Sequence, residues 1–341
     1  MRKIAEKELS SGKPQAEQEI YSTSSENTIG GTLQQANIMD VQTLSPAENK
    51  PNKPDEPNKP YESNEPIGSD GLNVPNEEIR SDGSDVQNEP KESDGSDAPN
   101  ELKSRLSDYI GKQQGKYGFY YINLITKEEF GLNEKDEFIA ASTTKLPMNM
   151  LLYREIEAGR IDPDSILTYR EENYEPGTGI IQKSEFGTTY TVREAARLSI
   201  VYSDNCAMNM IIDLLGIDNI RKYMQDLGGT VYYGENHRTC PYDLAVYAAR
   251  LYEFYRESPE IAGILIEDLQ NTIWNDRINK LLPKEVKVPH KIGNYPKVYN
   301  DVGIVFASRP YAIAVMSDNT EYETASDVIA TISKMIYDYV E

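Results

Sequence analysis

Apolar positions first recur at helical spacing at Leu102, Leu106, Tyr109 and Ile110; the hundred residues before them carry no such pattern. Phe119 to Ile125 is a largely apolar run, short enough to be a strand. One or two strands are expected before Ser142. The run Leu146-Pro147-Met148-Asn149-Met150-Leu151-Leu152 predicts a helix starting at Ser142. Thr191-Val192-Arg193-Glu194 has the capping-box pattern and starts a helix expected to end near Ser203. Further helical runs fall at about 205–215, 217–227 and 241–257, so the middle of the chain reads as all helical. Lys287 to Gly293, Asp301 to Ala307 and Tyr311 to Ser317 then read as strands. Their expected turns are Asn294-Tyr295-Pro296 and Ser308-Arg309-Pro310. Thr324 to Val340 closes the chain as an amphipathic helix. Strands at both ends with helices between predict an α+β fold: an antiparallel sheet of N- and C-terminal strands packed with helices, carrying an all-helical insertion.

Composition divides the chain at about residue 100. Residues 1–100 hold two aromatics, Tyr21 and Tyr61, and 10 of the 19 prolines. Too little apolar surface is available there to offset chain entropy, so a disordered acidic linker is expected over 1–100 and a folded domain over 101–341. Prolines at 51, 54, 57 and 60 favour an extended polyproline II spacer. Ser-Asp-Gly recurs at Ser69, Ser81 and Ser93, with Pro-Asn-Glu at 75–77 and 99–101. This degenerate repeat lacks the hydrophobic positions a solenoid needs; a linker is the plainer reading and calcium binding by Ser-Asp-Gly the sharper one.

The net charge is −21, of which −11 lies in residues 1–100. No polycationic stripe occurs, which argues against nucleic acid and anionic membrane surfaces as partners. The acidity fits solubility, or a preference for cationic surfaces. Two cysteines, Cys206 and Cys240, without Cys-x-x-Cys, indicate neither a zinc ribbon nor a disulfide scaffold. With only His237 and His290, a multi-histidine metal site is not expected, and no cofactor is implied. No segment reaches the roughly 18 apolar residues of a transmembrane helix. Met1-Arg2-Lys3-Ile4-Ala5-Glu6-Lys7 does not lead into a signal-peptide core, because polar residues interrupt at once.

Three short motifs supply the chemistry: Ser142-Thr143-Thr144-Lys145, Ser203-Asp204-Asn205 and Lys291-Ile292-Gly293. The first means little alone, since Ser10 to Lys13 also reads Ser-x-x-Lys. In its helical context, however, Ser142 and Lys145 share one face. A serine hydroxyl becomes a nucleophile only beside a base. A Ser-His-Asp triad is hard to assemble from His237 in a loop and His290 on a strand. Lysine can serve if burial and a second cation, here Lys291, lower its pKa. Ser203 could relay a proton to a leaving nitrogen, and Asn205 could offer its amide to substrate. Asp204 is expected to cap the following helix. Gly293 would let a ligand approach the strand edge, and the N–H groups of Ser142 and Asn294 could form an oxyanion hole. Taken singly, the second motif could be a helix-capping turn and the third a solvated lysine on a strand.

Together the motifs resemble those of the penicillin-recognising serine enzymes, class A β-lactamases in particular, over about 105–341. Ser142 to Ser203 spans 61 residues and Pro241 to Lys291 spans 50, close to that family's spacing. Asp301-Val302-Gly303-Ile304-Val305 and the closing helix agree as well. The resemblance implies a β-lactamase/transpeptidase-like fold. Ser142 is then the acylated nucleophile, Lys145 its base, Ser203 the relay, Asn205 a substrate contact and Lys291 an electrostatic anchor. It also implies an extracytoplasmic place, secreted or at the cell wall. An upstream start, or an export segment already removed, would reconcile this with the N-terminal residues.

Two departures matter. Only 38 residues separate Ser203 from Pro241, and in that interval no Glu-x-x-Leu-Asn supplies the glutamate that activates the deacylating water in the family. Glu235 is the only carboxylate near that place. Ile292, in turn, replaces a hydroxyl residue that would bond a substrate carboxylate. The expectation is a monomeric serine hydrolase that forms an acyl-enzyme on a β-lactam or a peptidoglycan-type peptide amide and releases it slowly. The alternative is a penicillin- or wall-peptide-binding or sensing module displayed on the spacer.

Overall fold

The computed structural model describes residues 98–231 and 237–341. The linker expected over 1–100, with its proline run and Ser-Asp-Gly units, lies outside the described residues apart from its last three positions. Those three already belong to helix α1 (Ala98–Ile110), whose Leu102, Leu106 and Ile110 are buried at helical spacing.

The frame is a five-stranded antiparallel sheet in the order β2-β1-β9-β8-β7. Its strands are β1 (Lys116–Asn123), β2 (Glu129–Leu132), β7 (His290–Tyr295), β8 (Val298–Val305) and β9 (Tyr311–Asp318). Period-two alternation sorts side chains between two cores. On β9, Tyr311, Ile313 and Val315 face the core built with α1 and α8 (Tyr322–Val340). Ala312, Ala314 and Met316 face the larger helical body. Small residues on that second face admit α6 (Pro241–Glu257): a Cβ on Gly118 would lie 3.0 Å from Pro241 Cγ. Leu244, Tyr247, Ala248, Leu251 and Phe254 form the buried stripe of α6. Each large side chain there contributes about 1.5–3 kcal/mol by leaving water.

Helix α2 (Lys145–Glu157) runs through the helical body and is buried continuously from Lys145 to Tyr153. Pro147 is tolerated because first-turn N–H groups have no intrahelical partner. Around it pack α3 (Val192–Val201), α4 (Asn205–Leu215), α5 (Ile217–Asp226) and α7 (Pro259–Gln270). The capping box at Thr191 is present: Thr191 Oγ1 accepts from Glu194 N, and the Glu194 side chain accepts from Thr191 N. Helix α7 extends the expected set; Pro259 opens it, and Ala262, Leu265 and Leu269 mark its buried face.

The middle of the chain is not entirely helical. Strand β3 (Phe138–Ile139) pairs with β6 (Arg238–Thr239), and β4 (Ile166–Thr168) pairs with β5 (Thr189–Thr191). Strands of two or three residues are too short to show a period in sequence. The first C-terminal turn also shifts. Asn294 is paired within β7, and the hairpin closes on Pro296-Lys297, with Lys297 at φ +61°. Among the described residues no helix is long and apolar enough to cross a membrane.

Candidate active site

Ser142 sits in a 3-10 turn, Ala141–Thr144, rather than in the α-helix itself, which begins at Lys145. Positions i and i+3 eclipse in a 3-10 turn, so Ser142 and Lys145 still share a face. The turn is held from several sides. Asn300 Nδ2 donates to Ile139 O at 2.8 Å, and Ala140 N donates to His237 O at 2.9 Å. The His237 ring contacts Ala141 O through Nε2 at 2.9 Å. Because a carbonyl only accepts, that nitrogen carries the proton. Burial drives the His237 pKa down to about 4, so the ring is neutral at physiological pH and acts as a strut. Ala141 is left-handed at φ +49°, as is Ser203 at φ +53°. Such conformations cost of order 1 kcal/mol or more in non-glycine residues, and here both fall within or beside the motifs.

Gly293 lies closely packed against the Ser142 turn. A Cβ there would stand 2.9 Å from Ala140 O, 3.1 Å from Thr143 Cγ2 and 3.2 Å from Ala141 Cβ. The bare backbone of Gly293 thus admits the Ser142 turn. Gly293→Ala is therefore expected to push this turn off β7, costing about 1–3 kcal/mol in stability. Acylation of Ser142 should fall by at least about tenfold. An unchanged melting temperature and acylation rate would show that the turn has slack.

The second motif lies opposite. Asp204 is the N-cap of α4: its Oδ1 accepts from Ala207 N at 2.9 Å. Its Oδ2 accepts from Ile180 N at 2.6 Å and Ile181 N at 2.8 Å, tying the 171–184 segment to the motif. Thr178 Oγ1 donates to Ser203 O at 2.7 Å, and Asn205 N donates to Thr178 O at 3.1 Å.

Both lysines converge on Ser203. Lys291 Nζ donates to Ser203 Oγ at 2.9 Å and Lys145 Nζ at 3.3 Å. Lys145 also donates to Ser203 O at 2.5 Å and to Asn205 Oδ1 at 2.7 Å, which uses three ammonium hydrogens. Lys145, Ser203 and Lys291 are fully buried, and Ser142 is 8 % exposed. Burial pulls Lys145 down to about 7, against the upward pull of Glu175 and then Asp204. Burial and then the charge of Lys145 hold Lys291 well below the lysine range. Desolvation is thus the largest influence on both lysines, and their mutual repulsion acts in the same direction.

Ile292 is buried and offers no donor to a substrate carboxylate. Arg277, from the irregular stretch before β7, is wholly buried. It donates to Asn300 O at 2.7 Å and to Asn294 Oδ1 at 2.5 Å, fixing the strand that carries Lys291 and Gly293. His290 faces away from the motifs and pairs with Asp301 at 2.9 Å, so it forms no triad with Ser142. Cys206 and Cys240 are free and buried. Glu235 lies outside the described residues.

Hence a buried serine–lysine–serine–lysine constellation lies where β7 and the helical body meet, which is the arrangement of a serine acyl-transfer fold. The chain belongs to the β-lactamase enzyme family, whose model matches residues 101–340. It is 25% identical over 244 residues to Beta-lactamase 3 of Bacillus cereus, covering 65% of this chain and 76% of that protein. Among solved structures, PBP-A is similar at a TM-score of 0.66 and 26% identity, covering 70% of this chain and 96% of PBP-A. A single-substitution mutant of PBP-A, as an acyl-enzyme complex with penicillin G, matches at the same TM-score and identity, covering 71% and 96%.

Proposed function

We propose that this chain is a serine hydrolase that opens a β-lactam, or a peptidoglycan-type amide, by acylating Ser142, and that it releases the acyl group more slowly than it takes it on. The observation that carries this is Ser203 Oγ accepting from two lysines at once. Its acceptor positions are filled, so its own O–H is left to donate towards a leaving nitrogen. Neutral Lys145, which lacks the hydrogen for its long 3.3 Å bond to Ser203 Oγ, takes the Ser142 proton as Oγ attacks the carbonyl carbon, and the ammonium so formed restores that bond. The C–N bond breaks, and the nitrogen takes its proton from Ser203, which is resupplied by the lysines. Asn205 and Lys291 contact and anchor the substrate, and the N–H groups of Ser142 and Asn294 are the proposed oxyanion donors.

Slow release is supported by the short Ser203-to-Pro241 interval and by the penicillin G acyl-enzyme complex of the PBP-A mutant. With a chromogenic cephalosporin, the expected result is a burst of about one product per protein, followed by a slow steady rate. Rapid turnover with no burst, lost on Glu235→Ala, would overturn the slow-release reading. A burst with no later turnover would mark a single-use penicillin-binding module.

A further inference from the structure

The family's water-activating glutamate is expected between the second and third motifs. The geometry points to Glu175, which precedes the second motif, as the carboxylate that activates the water clearing the Ser142 acyl-enzyme. This rests on the acyl-enzyme reading proposed above and deepens it.

Glu175 is fixed by one face of α4. Its backbone N–H donates to Cys206 Sγ at 3.5 Å, and the Cys206 thiol donates back to Glu175 O at 3.6 Å. Burial raises the Cys206 pKa, so the sulfur stays a thiol able to donate as well as accept. The Glu175 carboxylate accepts from Asn209 Nδ2 at 3.2 Å. Asn209 stands one helical turn beyond Asn205, whose Oδ1 accepts from Lys145 at 2.7 Å. The next residue, Pro176, offers its carbonyl to Asn205 Nδ2 at 3.4 Å. One turn further on, Asp213 Oδ2 accepts from Asn173 Nδ2 at 2.7 Å. Asn205, Asn209 and Asp213 thus form a polar ladder that holds residues 173–176 against the motif helix.

Two further observations select Glu175. Among the carboxylates that act on Lys145, it exerts the strongest pull. Glu175 is also only partly buried, so water reaches it where Lys145 and Ser203 are sealed.

In the step assigned to it, Glu175 accepts a proton from water as the water oxygen bonds to the ester carbonyl carbon. The tetrahedral intermediate then collapses, breaking the bond from carbon to Ser142 Oγ. Oγ recovers a proton from Lys145 or from the newly protonated Glu175. The net change is ester plus water giving acid plus free serine, with no other reactant needed.

The test is Glu175→Gln in the full chain with penicillin G, following formation and decay of the covalent adduct by intact mass. Glutamine keeps an oxygen for Asn209 Nδ2, so the fold is retained, but it cannot accept the proton. Adduct formation is expected to stay within about threefold, while decay slows by at least about 100-fold. Equal decay in both proteins would overturn the assignment. So would parallel losses in formation and decay, which would make Glu175 merely structural. If the unaltered protein forms no adduct, the acyl-enzyme reading fails, and this inference with it.

Discussion

Ser142→Ala is expected to form no covalent adduct with penicillin G and to lose turnover by at least about 10⁴-fold. Ser142 lies between two held elements, the β7 edge and the head of α2, and its turn is braced by Asn300 and His237. Removing one oxygen should leave those braces intact. Ser142 is nearly buried, and its backbone supports remain, so the stability change should stay within about 1 kcal/mol. Loss of the adduct with an unchanged melting temperature would separate chemistry from folding. A full adduct on the alanine variant would place the nucleophile elsewhere.

Lys145→Met should slow acylation by about 10²–10⁴-fold, the range typical of a lost general base. Methionine fills similar volume without burying a charge, and Ser203 O keeps its bond from Thr178. The variant therefore tests proton transfer more than packing. In the unaltered protein the base must be neutral, and burial places its pKa at about 7. Acylation should thus rise with pH, by about tenfold per unit well below 7, and level off above it. In the methionine variant that limb should vanish. Stability carries the matching sign: the folded Lys145 pKa lies below its unfolded value, so the unfolded chain binds more protons between about 7 and the ordinary lysine range. Folding stability therefore falls as pH drops through that window. A pH–rate profile unchanged by the substitution would remove Lys145 from the base role.

What the sequence revealed and what it concealed divide along physical lines. Long elements with one buried face announce themselves through their period, as in α6 and in the alternation along β9. The motif residues were legible because Ser142, Lys145, Ser203 and Lys291 combine reactive side chains with a fixed order. Helix α7 carries a comparable signal in Pro259 and its 3-4 spacing, and was legible in principle. Glu175 and Arg277 carried no such signal. Glu175 sits in an acidic run beside Glu171 and Glu172, and only the ladder on α4 distinguishes it. Arg277 becomes significant only when β7 and β8 close around it. The packing of Gly293 against the Ser142 turn was illegible for the same reason: the neighbour that needs its bare backbone is 150 residues away in the chain.

The most direct test of the account is an intact-mass time course of the full chain with penicillin G, with peptide mapping of any adduct. A β-lactam opens without losing a fragment, so the predicted result is a gain of one whole penicillin molecule on Ser142, formed quickly and lost slowly. No adduct on the Ser142 peptide at any time, or an adduct on a different residue, would contradict it.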